Sequence, residues 1–175
     1  MTVVKEAKST LVEYEEDRLW SEILPNLWQG GTDDADCVDS PRGRFEDAFI
    51  SREDFDTVVT LHADAQPVGW FVRELRCGFW DTDTITFDPE EIFDIVKIAH
   101  KDWKRGKNVL VRCQAGWNRS GLVMALILIR DGFSAKDAIA LIRRKRSSWA
   151  LCNKSFEKWL ISQNPAAWQG DSYAG

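Results

Sequence analysis

Cys113 and Arg119 are separated by Gln114, Ala115, Gly116, Trp117 and Asn118, and Ser120 and Gly121 follow directly. An apolar run at 109–111 leads into Arg112 and Cys113, and a second apolar run covers 122–129. The first has the length of a short buried strand and the second that of a helix. The pattern is therefore strand, tight loop, helix, with a thiol opening the loop and a guanidinium closing it. Loop amides and the helix N-terminus would point into one concavity, where the helix dipole favours negative charge. Arg119 adds a planar fork that can hold two phosphoryl oxygens at once, which a lysine could not copy. The same positive field favours thiolate over thiol at Cys113, and the thiolate is the nucleophilic form. One nest would thus bind a phosphoryl group and arm the atom that attacks it. The plain alternative is a buried structural cysteine with an arginine nearby on the surface.

The segment Cys113-Gln-Ala-Gly-Trp-Asn-Arg119-Ser120 resembles the C-x5-R-[ST] signature of cysteine-dependent phosphatases. Within the protein tyrosine phosphatase superfamily it looks most like the dual-specificity branch. C-x5-R alone is a weak signal; a preceding apolar strand, a central glycine and a following Ser-Gly and apolar helix make it specific. Ile23, Leu27 and Gly30 also fit the "I-x-x-x-L-x-x-G" pattern common in the first strand segment of that branch. The likeness covers about 23–161. It implies an α/β fold with a central, mostly parallel sheet of four to five strands flanked by helices; alternation of strand and helix patterns supports α/β independently.

The resemblance also implies roles. Cys113 would attack phosphorus and carry a phosphocysteine intermediate, which splits one hard step into two easier ones. Arg119 and the amides of Gln114, Ala115, Gly116, Trp117, Asn118 and Arg119 would hold the equatorial oxygens. Gly116 would permit unusual backbone angles, and Ser120 would stabilise the departing thiolate. The family draws its general acid from a loop ahead of the cysteine; Asp81 occupies that place, with Asp83 as runner-up. Either could instead be a loop acid with no chemical role. Two departures stand out. Arg112 replaces the histidine usual before the cysteine, and strand alternation directs it away from the phosphate site. The loop carries no lysine, unlike the basic loops of inositol-lipid phosphatases. The substrate expected is phosphotyrosine, with phosphoserine and phosphothreonine possible, in a shallow cleft walled partly by Trp117. The alternatives are an RNA 5′-triphosphatase, suggested by Gly-Trp-Asn-Arg-Ser-Gly and the basic run 143–146, and a noncatalytic phosphate-binding module.

The elements that must position these groups read as follows. Residues 1–22 form an arm with a short helix at about 11–20, 23–163 the catalytic unit and 164–175 a loose tail. A strand or hairpin at 23–31 ends in Gly30-Gly31, and 32–43 is a polar loop whose Asp33, Asp34, Asp36 and Asp39 match no EF-hand spacing. A short helix is read within 45–56. Strands follow at 57–61 and 72–80, with His62 as an ordinary loop histidine after the first. Asp88 and Pro89 start a helix that Gly106 stops, with His100 on it in a structural role. Ser134 opens another helix with capping-box-like spacing. Its basic end at 143–146 reads first as cations at a helix C-terminus. A last helix covers 153–161.

The chain has 175 residues, 44% apolar and 29% charged, which suits one soluble globular domain. A net charge of −5 argues against broad nonspecific binding to nucleic acid. Four cysteines form no C-x-x-C pair, and two histidines are too few for a histidine zinc cluster. No metal or other cofactor is implied. A nucleophilic thiol needs a reducing compartment, so the cytoplasm is expected. So are no membrane segment, a monomeric state and a phosphorylated protein or peptide as substrate.

Overall fold

The structure, a computed structural model, describes residues 19–32 and 50–174. Strands β1 (Trp20–Leu24) and β2 (Leu27–Gly30) form an antiparallel hairpin turned at Pro25 and Asn26, the latter at φ 64°. β3 (Thr57–Thr60), β4 (Arg73–Arg76) and β5 (Val109–Arg112) complete a five-stranded sheet of order β1-β2-β5-β3-β4. All pairings other than β1 with β2 are parallel, so the sheet is mostly parallel as the sequence implied. β5 lies at its centre. Its parallel neighbours bring the ends of β2 and β3 level with its own: Gly30 and Thr60 both pair with Arg112. Loops leaving these strands therefore gather at one edge, as expected for an open α/β sheet.

The described residues form five helices, α1 (Pro89–Lys104) between β4 and β5, then α2 (Arg119–Arg130), α3 (Ala135–Lys145), α4 (Lys154–Ser162) and α5 (Pro165–Gln169). Their buried apolar residues join one cluster on the sheet face of Val59, Val109 and Val111. The opposite face carries a smaller cluster of Ile50, Phe55, Val58 and Leu110, packed with Trp20 and Trp28. Alternation along β3 and β5 sends successive side chains to these two clusters. α2 is buried along its whole apolar run, with Leu122 and Leu126 fully enclosed. Each such leucine contributes roughly 1.5–3 kcal/mol by leaving water. α2 is thereby a rigid post under the loop that begins it.

The caps read from sequence at Asp88 and Ser134 are present, and Asn153 adds a third. Asp88 accepts from the Glu90 amide ahead of Pro89, Ser134 from the Asp137 amide, and Asn153 from those of Ser155 and Phe156. His100 Nε2 meets Asp131 Oδ1 at 3.0 Å and ties α1 to the end of α2. Several boundaries differ from the sequence reading. Trp20, Ser21 and Glu22 belong to β1 rather than to an arm, because their backbone pairs with β2. The strand read over 72–80 is a strand only at Arg73–Arg76; one more bond, from Cys77 N to the Thr60 carbonyl at 3.0 Å, closes its pairing with β3, and Cys77 and Phe79 turn into the core. Residues 50–56 form turns, not a helix. The tail is not loose: α5, capped by Asn164, carries a fully buried Trp168 into the core. Residues 11–18 of the helix read at 11–20, the acidic residues of the 32–43 loop, and 45–49 lie outside the described residues.

A buried carboxylate closes the far end of the sheet. Asp102, 1% exposed, accepts from Thr57 Oγ1 and Arg73 Nη1 at 2.8 Å each and faces Lys107 Nζ at 3.4 Å. Burial alone would raise its pKa; the Thr57 hydroxyl, Arg73 and Lys107 more than reverse this and hold it below the usual carboxylate range. A lowered folded-state value gives stability that is complete above the unfolded value of about 3.9 and lost as pH falls through the lower folded one. Urea melts across pH should therefore be flat above about pH 4 on this account and decline below it. Asp102→Asn should lose about 1–3 kcal/mol at neutral pH and show a shallower acid decline. An unchanged acid limb in the variant would contradict the assignment.

Candidate active site

β5 delivers Cys113, 2% exposed, at the point where the chain leaves the sheet. The loop then turns back over the end of β2. Gly116 sits at φ 76°, and a Cβ there would lie 2.4 Å from Gly30 C and 2.5 Å from Gly31 N. Only glycine meets both demands. Gly31 is equally pressed, since its Cβ would lie 2.6 Å from the Gln114 carbonyl. Backbone bonds from Cys113 N to Gly30 O (3.2 Å) and from Thr32 N to Gln114 O (3.0 Å) complete the seam. The Gly-Gly turn read from sequence is thus the floor of the loop.

Among the described residues, no carbonyl or side chain accepts the amide hydrogens of 115–119. The helix cap contributes to this. Asn118 occupies the N-cap of α2 but makes no capping bond, unlike Asn153 and Asn164 at theirs. Its side chain is engaged elsewhere: Nδ2 donates to Asp81 Oδ2 at 3.0 Å, and Oδ1 accepts from the Asn153 amide at 3.0 Å. A helix start left uncapped presents its amides to an anion. Arg119, 8% exposed, is the first residue of α2. Its Nη1 donates to the carbonyls of Phe79 (3.2 Å) and Leu61 (3.4 Å), while its Nε is buried without a partner. A buried guanidinium N–H lacking an acceptor is costly, and an oxyanion between Arg119 and the loop amides would supply one.

Cys113 Sγ lies 3.4 Å from Ser120 Oγ. The structure therefore brings together Cys113, Arg119, Ser120 and the loop residues named from sequence. It also brings Asp81 to the loop. Each Asp81 oxygen accepts one amide hydrogen, Oδ2 from Asn118 and Oδ1 from Asn153 Nδ2 at 2.8 Å. A carboxyl group has about four acceptor positions, so these two bonds anchor it and leave room for a proton. No described contact joins Asp83 to the loop. The other described cysteines differ from Cys113. Burial, reinforced by Glu91, pushes the Cys77 thiol up to about 12, so it stays protonated at neutral pH. Cys152 is exposed, its Sγ 3.4 Å from Asn118 Oδ1.

Arg112 points away from the loop, as alternation required. It is buried, donating from Nε to Thr60 Oγ1 at 3.0 Å and from Nη2 to the Gln66 carbonyl at 2.6 Å, and it faces Glu74 at 3.3 Å. It ties β5 to β3 and β4 instead of touching the thiol. The basic run is also structural in good part. Arg143 donates to the Ala150 and Leu151 carbonyls and pairs with Glu157, while Arg146 donates to the Gly116 carbonyl and Ser21 Oγ. Sequence reasoning did not single out Gln29, Asn153 or Arg146 for the site. Exposed tryptophans stand on the surrounding loops: Trp117 at 38%, Trp149 at 58% and Trp80 at 74%. Trp117 and the 147–152 loop are joined through the Leu151 amide.

Comparison with known proteins accords with this geometry. Residues 47–165 match the family described as dual specificity phosphatase, catalytic domain, and the chain belongs to that family. Over 77 residues it is 34% identical to "Putative tyrosine phosphatase 123R" of Invertebrate iridescent virus 6. That match takes in 40% of this chain and 54% of the viral protein, so it spans only about half the length of this relative. Human DUSP28 superposes with a TM-score of 0.63 at 20% identity, over 80% of this chain and 92% of the other. Tk-PTP in its active form gives 0.53 at 27% identity, over 65% and 82%. The human tyrosine phosphatase-like serine/threonine/tyrosine-interacting protein gives 0.61 at 18% identity, over 81% and 92%. Among the described residues no helix is long and apolar enough to cross a membrane, and no cluster of His, Cys, Asp and Glu could hold a metal.

Gly116→Ala should cost about 1–3 kcal/mol from overpacking against Gly30 and Gly31, and more from the left-handed backbone. Urea denaturation measures it; a loss under 0.5 kcal/mol, within the range of ordinary surface substitutions of about ±0.5 kcal/mol, would contradict this seam.

Proposed function

We propose that the protein is a cysteine-dependent phosphatase that hydrolyses phosphotyrosine, with phosphoserine and phosphothreonine as further substrates, through a phosphocysteine intermediate. The observation that carries this is Cys113 Sγ 3.4 Å from Ser120 Oγ at the uncapped start of α2, together with a buried Arg119 whose Nε has no acceptor. The Cys113 thiolate attacks phosphorus, an S–P bond forms and the P–O bond to the leaving group breaks. Arg119 and the loop amides hold the three equatorial oxygens while charge redistributes. Asp81 gives its proton to the departing oxygen. Water then attacks the phosphocysteine, releasing phosphate, and the Ser120 hydroxyl donates to the sulfur as it leaves. Every group comes from one chain, so a monomer suffices. A nucleophilic thiol calls for a reducing compartment, which favours the cytoplasm.

Two features weigh against RNA 5′-triphosphatase activity. Arg143 and Arg146 are committed to holding loops, and an anchored aspartate suits a leaving group that needs a proton more than a leaving phosphate does. A noncatalytic phosphate-binding module is disfavoured by the presence together of Cys113, Arg119, Ser120 and Asp81.

Cys113→Ser should abolish hydrolysis of an aryl phosphate while phosphate binding, followed by calorimetry, persists; retained turnover would remove Cys113 from the role of nucleophile. Asp81→Asn should lower kcat/KM by about 10²–10⁴-fold and flatten the basic limb of its pH profile. An unchanged profile would move the acid to Asp83 or to no residue. Rates compared side by side on a phosphotyrosine peptide, a phosphoserine peptide and 5′-triphosphorylated RNA should rank in that order; RNA first would replace the reading with the triphosphatase.

A further inference from the structure

Gln29, in β2, is fully buried beneath the phosphate loop. Its Nε2 donates to the Gly116 carbonyl at 3.2 Å and to Ser120 Oγ at 3.3 Å. A carbonyl oxygen can only accept, so the Gly116 bond fixes which end of the amide faces the loop. With Nε2 there, Ser120 Oγ must accept from Gln29. While Cys113 is a thiol its Sγ donates to Ser120 Oγ at 3.4 Å; a thiolate can only accept, so on ionisation the serine proton turns to the sulfur. With Cys113 ionised, the polarity of this chain runs from the Gln29 amide through the Ser120 hydroxyl to the Cys113 sulfur. The arrangement has a cost: Gln29 Oε1 is buried without a hydrogen-bond partner. A leucine or methionine would fill similar space without that orphaned acceptor.

We propose that Gln29 is a positioning residue. By donating to Ser120 it keeps the serine proton directed at the Cys113 sulfur, and so favours the thiolate both when it attacks and when it leaves the phosphocysteine. This rests on the phosphatase reading above for its consequence in turnover, but the hydrogen-bond polarity can be read without any substrate.

The test pairs two readouts on the full chain. Alkylation by iodoacetamide at neutral pH, followed by mass spectrometry of the Cys113 peptide, reports the thiolate directly. Turnover of an aryl phosphate, with its pre-steady-state phase, reports the two chemical steps. Gln29→Leu should slow alkylation and lower kcat about tenfold, the scale of one hydrogen bond to a charged group. KM should stay nearly constant, and a burst of aryl alcohol should appear as the second step becomes limiting. Ser120→Ala should behave alike, and the double variant should be no slower than Ser120→Ala alone. Equal losses from Gln29→Leu in both backgrounds would overturn the proposal, because Gln29 would then act through loop packing; so would the absence of any loss. Gln29→Met provides the same test if the leucine variant does not fold, and failure of both to fold would assign Gln29 to structure and overturn the proposal as well. If alkylation follows the expected pattern but no aryl phosphate is hydrolysed, the relay stands and the phosphatase reading falls.

Discussion

Backbone pressed on backbone, at the contact between Gly116 and the Gly30-Gly31 pair, sets the shape of the site. No side chain intervenes, so the loop between β5 and α2 has little freedom to rise or sink. Its outer amides face away from the seam. β5 sits at the centre of the sheet and α2 is buried along its apolar run, so both ends of the loop are fixed by the most protected elements of the fold. A cup for a tetrahedral anion needs this rigidity, because donors held in place before the reaction need no reorganisation during it.

Around that seam, polar groups have divided tasks. Arg112 and Arg119 lie seven residues apart in sequence on either side of the thiol, yet they serve different ends. Arg112 spends its donors on Thr60, Gln66 and Glu74 and stitches strands together. Arg119 keeps a buried Nε without an acceptor. Asn118 makes no capping bond and instead reaches Asp81, which links the Asp81 loop to the loop between β5 and α2. Asn153 does both, capping α4 and donating to Asp81 and to the Thr82 carbonyl. Asp81 and the loop that begins at Cys113 are thereby fastened to one frame from separate parts of the chain.

Cys113, Arg119 and Ser120 could be picked out together in the sequence because they lie within eight residues and their context is local. The start of α1 was legible because Asp88 and Pro89 state it in two residues, and the orientation of Arg112 followed from alternation alone. Gln29 and Arg146 were not, because they reach the loop from 87 and 30 residues away and their types have many ordinary uses. Asn153 was visible only as a helix start; its bond to Asp81 crosses 72 residues. α5 left a signal that could have been read, an Asn-Pro opening followed by a tryptophan, but its five residues are too short for periodicity. β4 was overextended because Cys77 and Phe79 continue the apolar alternation while the last bond to β3 is that of the Cys77 amide.

If a sulfur atom in this cup takes phosphorus from its substrate, the bond between them can be caught. Rapid acid quenching during turnover of an aryl phosphate, followed by mass spectrometry of the peptides, should find a phosphoryl group on Cys113 and on no other residue. Turnover that continues with Cys113 unmodified at every quench time, in a variant whose second step has been slowed, would contradict the account.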